Sequence, residues 1–98
     1  MTEKEMQELD RWIEAKFGIK GATRSIEQAM MVVKQMMKNK YEFRLEIRLE
    51  YFYKSDWGFC VTFFIANNDT KRATISTEHF NEIPLSTCRA AKAAMGDR

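Results

Sequence analysis

The residue types that most often perform catalysis are few in this chain, and their spacing does not favour joint action. The sole histidine, His79, precedes Phe80 in a stretch typical of a loop. No serine, cysteine or carboxylate stands where it would serve this histidine as a partner in general-base or nucleophilic chemistry. Cys60 and Cys88 are far apart and belong to no Cys-x-x-Cys or Cys/His pattern. The sequence therefore predicts no enzyme activity, no metal site and no cofactor.

A row of carboxylates occurs in the stretch YEFRLEIRLEYFY, where acidic and basic residues alternate at every second position. Glu42, Glu46 and Glu50 share one face of the expected strand, but Arg44 and Arg48 stand between them. This arrangement argues against a paired-carboxylate acid–base site. We expect a solvated face whose charges pair with those of neighbouring strands.

Length and composition indicate one ordinary domain spanning residues 1–98. The net charge of +2 is too small to indicate nucleic-acid binding by bulk electrostatics. The longest apolar runs are far shorter than a membrane span, and the N-terminus MTEKEMQELD is too acidic for a signal peptide. We therefore expect a cytoplasmic protein that does not enter membranes.

The first helix is predicted from Glu3 to Phe17. Thr2 and Glu5 form a capping box, T-E-K-E, and Gly18 is a natural C-terminal stop. One face of this helix is apolar, with Trp12 at its edge; its members are Met6, Leu9, Ile13 and Phe17.

The second helix is predicted from Ile26 to Lys38. Ser25 and Gln28 form another capping box, Thr23 is an alternative cap, and Asn39 is suited to a left-handed helix end. Five residues are expected to form the face that covers the sheet: Ile26, Ala29, Met30, Val33 and Met37.

Three strands and a third helix follow. Strict alternation predicts a strand from Tyr41 to Tyr53, and a run of apolar residues predicts another from Trp57 to Ala66. The cluster NNDT predicts a turn before a short strand from Arg72 to Thr77. Pro84 and a run of alanines favour a closing helix ended by Gly96, whose sheet-facing residues are Leu85, Cys88, Ala91 and Met95, with Lys92 at the edge.

The predicted order is α-α-β-β-β-α, and the short connections favour a three-stranded antiparallel sheet. Because the strands present an apolar face, the helices are expected to pack on it in layers. The sequence thus predicts an α+β fold.

The segments ATRSIEQAMMVVKQMMKNKYEFRLE, WGFCVTFFIA and IPLSTCRAAKAAM resemble the phage ABA sandwich domain family. The most distinctive part is the closing helix, with its Pro-Leu-x-x-Cys-Arg-Ala-Ala stretch beginning at Pro84. The resemblance covers most of the chain beyond Gly18. It implies a phage or prophage origin and an accessory role without an established biochemical function.

A nucleic-acid-binding role is the alternative, because strands followed by an Ala-rich basic helix are similar to the double-stranded-RNA-binding domain. Arg89 and Lys92 would then contact phosphates, but the expected Lys-Lys-x-Ala-Lys stretch is replaced by Ser-Thr-Cys-Arg. Four aromatic residues would provide a stacking platform for bases, unless they pack in the interior: Phe52, Tyr53, Trp57 and Phe64.

Protein binding is the preferred interpretation, with a host or phage protein as partner. Seven methionines are many for this length, and Met-rich surfaces adapt to partners, although methionines also fill cores. Met31 and Val32 lie off the predicted core face of the second helix and need another cover, from the first helix or from a partner chain. If the first helix packs elsewhere, these residues favour a homodimer. The expected macromolecule-binding residues are Met31, Tyr53, Trp57, Arg89 and Lys92.

Overall fold

The computed structural model describes the backbone of residues 2–50, 56–65, 68–77 and 80–95, and the side chains of residues 2–45, 81–95 and Ile75. Its helices are α1 (Glu3–Phe17), α2 (Ile26–Lys38) and α3 (Ile83–Ala94), the last preceded by a 3-10 turn at Phe80–Glu82. The predicted bounds of α1 and α2 are confirmed. The predicted stop of α3 at Gly96 lies outside the described residues, and the helix ends at Ala94.

Capping side chains set the starts of α1 and α2. The Thr2 hydroxyl oxygen accepts from the Glu5 N–H at 3.2 Å, and the Ser25 hydroxyl oxygen accepts from the Gln28 N–H at 3.3 Å. Each bond satisfies a backbone donor that has no partner within its helix. Gly18 ends α1 in the left-handed conformation, with φ of 71°.

The turn between α2 and the next element corrects one prediction. Asn39 has a φ of −89°, whereas Lys40 has a φ of 69°. The left-handed residue is therefore Lys40 and not Asn39. Asn39 contributes instead through its side-chain amide, which donates to the Gln35 carbonyl oxygen at 3.0 Å and satisfies one of the last acceptors of the helix.

Three strands follow, β1 (Tyr41–Glu50), β2 (Asp56–Ile65) and β3 (Asn68–Thr77). They pair antiparallel in the order β1-β2-β3, with Leu45 opposite Val61 and Val61 opposite Ile75. The predicted extension of the first strand to Tyr53 lies outside the described residues.

The third strand is longer than predicted. It begins at Asn68, not at Arg72, because Asn68 already pairs with Ile65 across a register irregularity that follows Phe63. Three residues of the predicted turn cluster NNDT therefore belong to β3. Backbone pairing with β2 outweighs the turn preference of Asn and Asp, as is common on edge strands, where strand propensity depends on context.

The helix α3 lies at the centre of the fold, in contact with α1 and α2 and with β2 and β3. Its burial extends beyond the residues predicted to face the sheet. Cys88 and Ala91 are buried as expected, but Leu85 and Met95 are only half-buried. Small side chains let neighbours approach from several sides. The buried residues of α3 are Ile83, Pro84, Ser86, Thr87, Cys88, Ala90, Ala91 and Ala94.

The helix α2 turns a different face to the core from the one predicted. Its buried residues are Ala29, Val32, Val33 and Met36. Ile26, Met30 and Met37 were expected to cover the sheet, but they are exposed. Val32, which was expected to lie off the sheet-facing side and to be covered by α1 or by a partner, is completely buried within the chain. Both sets recur at helical spacing, so periodicity alone did not distinguish them.

The strand β1 contacts α2 and presents alternating faces. Tyr41 and Phe43 are half-buried against the core, whereas Glu42 and Arg44 are exposed. The Tyr41 hydroxyl donates to the Ala94 carbonyl oxygen at 3.1 Å and so ties the start of β1 to the end of α3. Within the described part of the chain, no helix has both the length and the apolar character needed to cross a membrane.

Candidate protein-binding surface

The outer side of α2 carries an unusual number of exposed apolar side chains. We call Ile26, Met30, Met31 and Met37 the methionine face. Their exposed fractions are 48%, 37%, 48% and 58%, respectively. At about 100° per residue, Ile26, Met30 and Met37 lie within roughly 40° of one another around the helix. They form a stripe beside the buried side of α2.

The strand that contacts α2 adds a further apolar residue. Leu45 is 41% exposed, although the half-buried Tyr41 and Phe43 share its face of β1. The helices therefore cover the beginning of this face of β1 better than they cover its middle. Exposed apolar residues on neighbouring elements are typical of an interaction surface.

An open groove of about 370 Å³ runs along the methionine face. It is lined by Glu27, Met30, Met31, Val33, Lys34 and Met37. The lining is mostly thioether and aliphatic carbon, with one carboxylate and one ammonium group. Such a lining is suited to apolar side chains, with charged groups at its edge. Because methionine is flexible and polarisable, the groove can adapt its shape to a partner.

The charged residues beside the methionine face are separated by sign along the helix. Glu27 lies in the first turn, whereas Lys34 and Lys38 lie in the second half, and all three are exposed. This arrangement complements the helix dipole, with an anion near the N-terminus and a cation near the C-terminus. It also gives the surface a polarity that a partner can recognise.

The predicted binding residues do not form one site among the described residues. Met31 is exposed and lines the groove, as expected of a contact residue. Arg89 is exposed on α3 but does not line the groove. Tyr53 lies outside the described residues. Trp57 is placed only by its backbone, opposite Leu49 in the sheet, because its side chain lies outside the described part.

Lys92 has a structural contact that sequence reasoning missed. This half-buried side chain places its Nζ 5.9 Å from the centre of the Trp12 ring, and Trp12 meets Phe17 edge to face at 6.0 Å between ring centres. The cation is therefore engaged with α1 by a cation–π contact. This position is less suited to phosphate binding than the prediction assumed.

The thiol of Cys88 is unsuited to nucleophilic catalysis. Cys88 is completely buried. Burial, and to a smaller extent the charge of Asp10, raises the pKa of its thiol from 9.0 to about 12. The thiol is therefore protonated at neutral pH, whereas nucleophilic chemistry needs the thiolate. Within the described ranges, no group of three or more His, Cys, Asp or Glu residues could hold a metal ion. His79 lies outside them.

Most of the methionine face was assigned to the core by sequence reasoning, which missed Ile26, Met30, Met37 and Leu45 as surface residues. One feature of the sequence did indicate that this side is exposed. Glu27 and Lys34 stand three and four residues from Met30 and therefore beside it on the helix, so that this side mixes apolar and charged residues. Such mixing is more typical of a surface than of a buried face.

Comparison with known proteins identifies no relative. No protein family, no curated protein and no solved structure matches the chain. The resemblance to the phage ABA sandwich domain family stays a prediction.

Proposed function

We propose that this chain is a non-enzymatic accessory protein that binds another protein through the methionine face of α2. The observation that carries the proposal is the exposure of three large apolar side chains, Ile26, Met30 and Met37, between 37 and 58%, on one side of α2. Met31, 48% exposed, lies about 100° further round the helix from Met30. On the resemblance described above, we place it among phage or prophage proteins acting in the host cytoplasm. Its scaffold is an α+β fold in which α2 contacts β1, α3 contacts β2 and β3, and α1 contacts α2 and α3.

The size of the surface decides what kind of binding it supports. Completing the burial of one half-exposed Met, Ile or Leu contributes roughly 1 kcal/mol, so the methionine face and Leu45 together contribute about 5 kcal/mol. The loss of translational and rotational freedom on association costs at least about 4 kcal/mol. The apolar residues of this chain alone therefore support only weak binding, and a stable complex needs apolar area from the partner or additional contacts at the rim or on β1.

Nucleic-acid binding has less support. Phosphate contacts need several available cations on one surface. In the described part of α3, Arg89 is exposed, but Lys92 is half-buried over the Trp12 ring. The rest of this helix is mostly buried in the fold. If gel-shift assays gave an affinity for nucleic acid that falls steeply as the salt concentration rises, the nucleic-acid alternative would be favoured over protein binding.

Site-specific photo-crosslinking in cells tests the proposal. A benzophenone amino acid replaces Met30 in the groove, and in a matched control it replaces Arg89, which is exposed on α3. We expect protein adducts from position 30 and few from position 89, with the adducts from position 30 lost when Met37→Glu is added. No adducts, or equal adducts from both positions, would refute the proposed surface.

A further inference from the structure

We propose that the partner is a second copy of this chain, joined across a two-fold axis at Leu45 that pairs β1 with β1 and α2 with α2, each antiparallel. This inference rests on the proposed function, because it uses the same methionine face. It extends that function by naming the occupant of the surface and by adding the edge of the sheet.

The position of β1 in the sheet makes it available for pairing. With the strand order β1-β2-β3, β1 has a hydrogen-bonded neighbour on one side only within the described sheet. An edge strand presents backbone N–H and C=O groups on its other side, and these can pair with a strand of another molecule. In β1 this edge is 10 residues long.

The residues of β2 directly opposite the charged residues of β1 do not carry complementary charges. The alternating residues Glu42, Arg44, Glu46, Arg48 and Glu50 lie opposite Phe64, Thr62, Cys60, Gly58 and Asp56, respectively. None of these opposite residues is basic, and the charged one, Asp56, lies opposite Glu50.

A second β1 places opposite charges across from these residues. If two antiparallel copies are centred on Leu45, Glu42 lies opposite Arg48 of the second copy, and Arg44 lies opposite Glu46 of the second copy. Centring the pair on Glu46 instead places Arg44 opposite Arg48 and Glu42 opposite Glu50. Since like charges directly opposite one another are destabilising, a centre on an odd-numbered residue is selected. Phe43, Leu45 and Ile47 all satisfy this condition.

The helix α2 distinguishes Leu45 from Ile47. Ile26, Met30, Val33 and Met37 are spaced symmetrically about a point between Met31 and Val32. This point lies about 10 Å along the helix from Lys38. The chain reverses at Asn39 and Lys40, and Leu45 lies about 13 Å along the strand from Tyr41, whereas Ile47 lies about 20 Å away. One two-fold axis serving both elements therefore excludes Ile47 but fits Phe43, about 7 Å along the strand, as well as Leu45. The exposure of Leu45, against the half-buried Phe43, selects Leu45.

Charge complementarity favours the antiparallel arrangement of the two α2 helices. About the same centre, Ile26 lies opposite Met37 of the second copy, and Glu27 falls between its Lys34 and Lys38. A parallel arrangement would place Glu27 opposite Glu27. The exposure of Leu45 is consistent with this geometry, because a residue on the axis is covered by the second copy and not by its own helices.

Disulfide trapping tests the register. In a background carrying Cys60→Ser, Leu45→Cys should form a disulfide-linked dimer on mild oxidation, because directly opposite residues have Cα atoms about 4.5–5.5 Å apart. Ile47→Cys is the matched control. In the proposed register it lies opposite Phe43, and the two copies of residue 47 are about 13 Å apart. Preferential trapping through residue 47 would overturn the register.

Light scattering tests the association itself. We expect a dimer mass at high micromolar concentration, a monomer mass for Glu27→Lys, and recovery of the dimer when Lys34→Glu and Lys38→Glu are added. Circular dichroism checks that each variant folds. A monomer mass for the unmodified protein, or dimers unaffected by Glu27→Lys, would overturn the inference. Crosslinks from position 30 to a different protein would then leave the proposed function standing.

Discussion

Thr23 donates both its backbone N–H and its hydroxyl to Asp10 Oδ1, at 3.3 and 2.8 Å. The pair joins the loop before α2 to the middle of α1. Sequence reasoning treated Thr23 as an alternative cap for α2, but Ser25 is the cap and Thr23 serves α1 instead. Because Thr23 is 97% buried and its acceptor is a carboxylate, this contact holds two helices in a fixed relationship.

Thr23→Val should therefore lower the free energy of unfolding by roughly 1.5–3 kcal/mol, since it removes the hydroxyl donor to a charged, partly buried acceptor. Thr23→Ser keeps that donor and should cost less. Urea denaturation of both variants measures the difference. Equal losses for Val and Ser would mean that the methyl group, and not the hydrogen bond, stabilises this position.

Thr87→Val should leave the free energy of unfolding unchanged or raise it by up to about 1 kcal/mol. The Thr87 side chain is completely buried, and within the described part of the structure its hydroxyl oxygen has no hydrogen-bond partner. Replacing a buried, unsatisfied hydroxyl by a methyl group removes a desolvation cost.

Thr87→Ser is the matched control, because it keeps the hydroxyl and removes a methyl group from the core, and it should destabilise. Thermal and urea unfolding of the two variants measure the contrast. A loss of more than 1 kcal/mol for Thr87→Val would show that the hydroxyl has a partner in solution.

Met36→Ala and Met37→Ala test which side of α2 faces the core. Met36 is completely buried, whereas Met37 is 58% exposed. We expect a loss of about 2–5 kcal/mol for Met36→Ala and a change within about 0.5 kcal/mol for Met37→Ala. Both are measured by urea denaturation at a protein concentration low enough to keep the chain monomeric. The reverse order of effects would restore the face predicted from the sequence.

Tyr41→Phe should lower the free energy of unfolding by about 0.5–1.5 kcal/mol, because it removes the hydroxyl that donates to the Ala94 carbonyl oxygen. Since that bond joins β1 to the end of α3, amide hydrogen exchange should also become faster in the last turn of α3. Unchanged stability together with unchanged exchange would contradict a role for this bond.

The burial of Cys88 predicts a pH dependence of stability. Its pKa is raised in the folded state from 9.0 to about 12, so the folded protein keeps the proton at a pH where the unfolded chain releases it. The contribution to stability is therefore fully present below about pH 9 and is lost as the pH rises toward 12. The limiting slope for one such group is about 1.4 kcal/mol per pH unit.

Cys88→Ala removes this titration, although it also leaves a small cavity. Comparing the slopes of stability against pH, and not the absolute stabilities, separates the two effects. We expect urea unfolding of the unmodified protein to show the steeper decline above pH 9. Parallel slopes for the two proteins would mean that the thiol ionises equally in the folded and unfolded states.

The sequence by itself determined the bounds of α1 and α2 and the alternating faces of β1. The reason is that these features depend on neighbours in the chain. Ser25 caps α2 through a backbone N–H three residues away, and Gly18 ends α1 by its own φ angle. Local chemistry of this kind can be read without knowing what the segment packs against.

Only the tertiary structure decided which apolar side chains form the core and which form the candidate surface. In α2, Val32 and Met36 are buried, whereas Met30 and Met37 are exposed. Both pairs are apolar, and the spacing of each places its two members on one side of the helix. Their difference comes from the position of α3, whose small residues let it lie within contact of α1, α2 and the sheet. Which side of an apolar helix is buried depends on distant parts of the chain, and local periodicity carries no information about them.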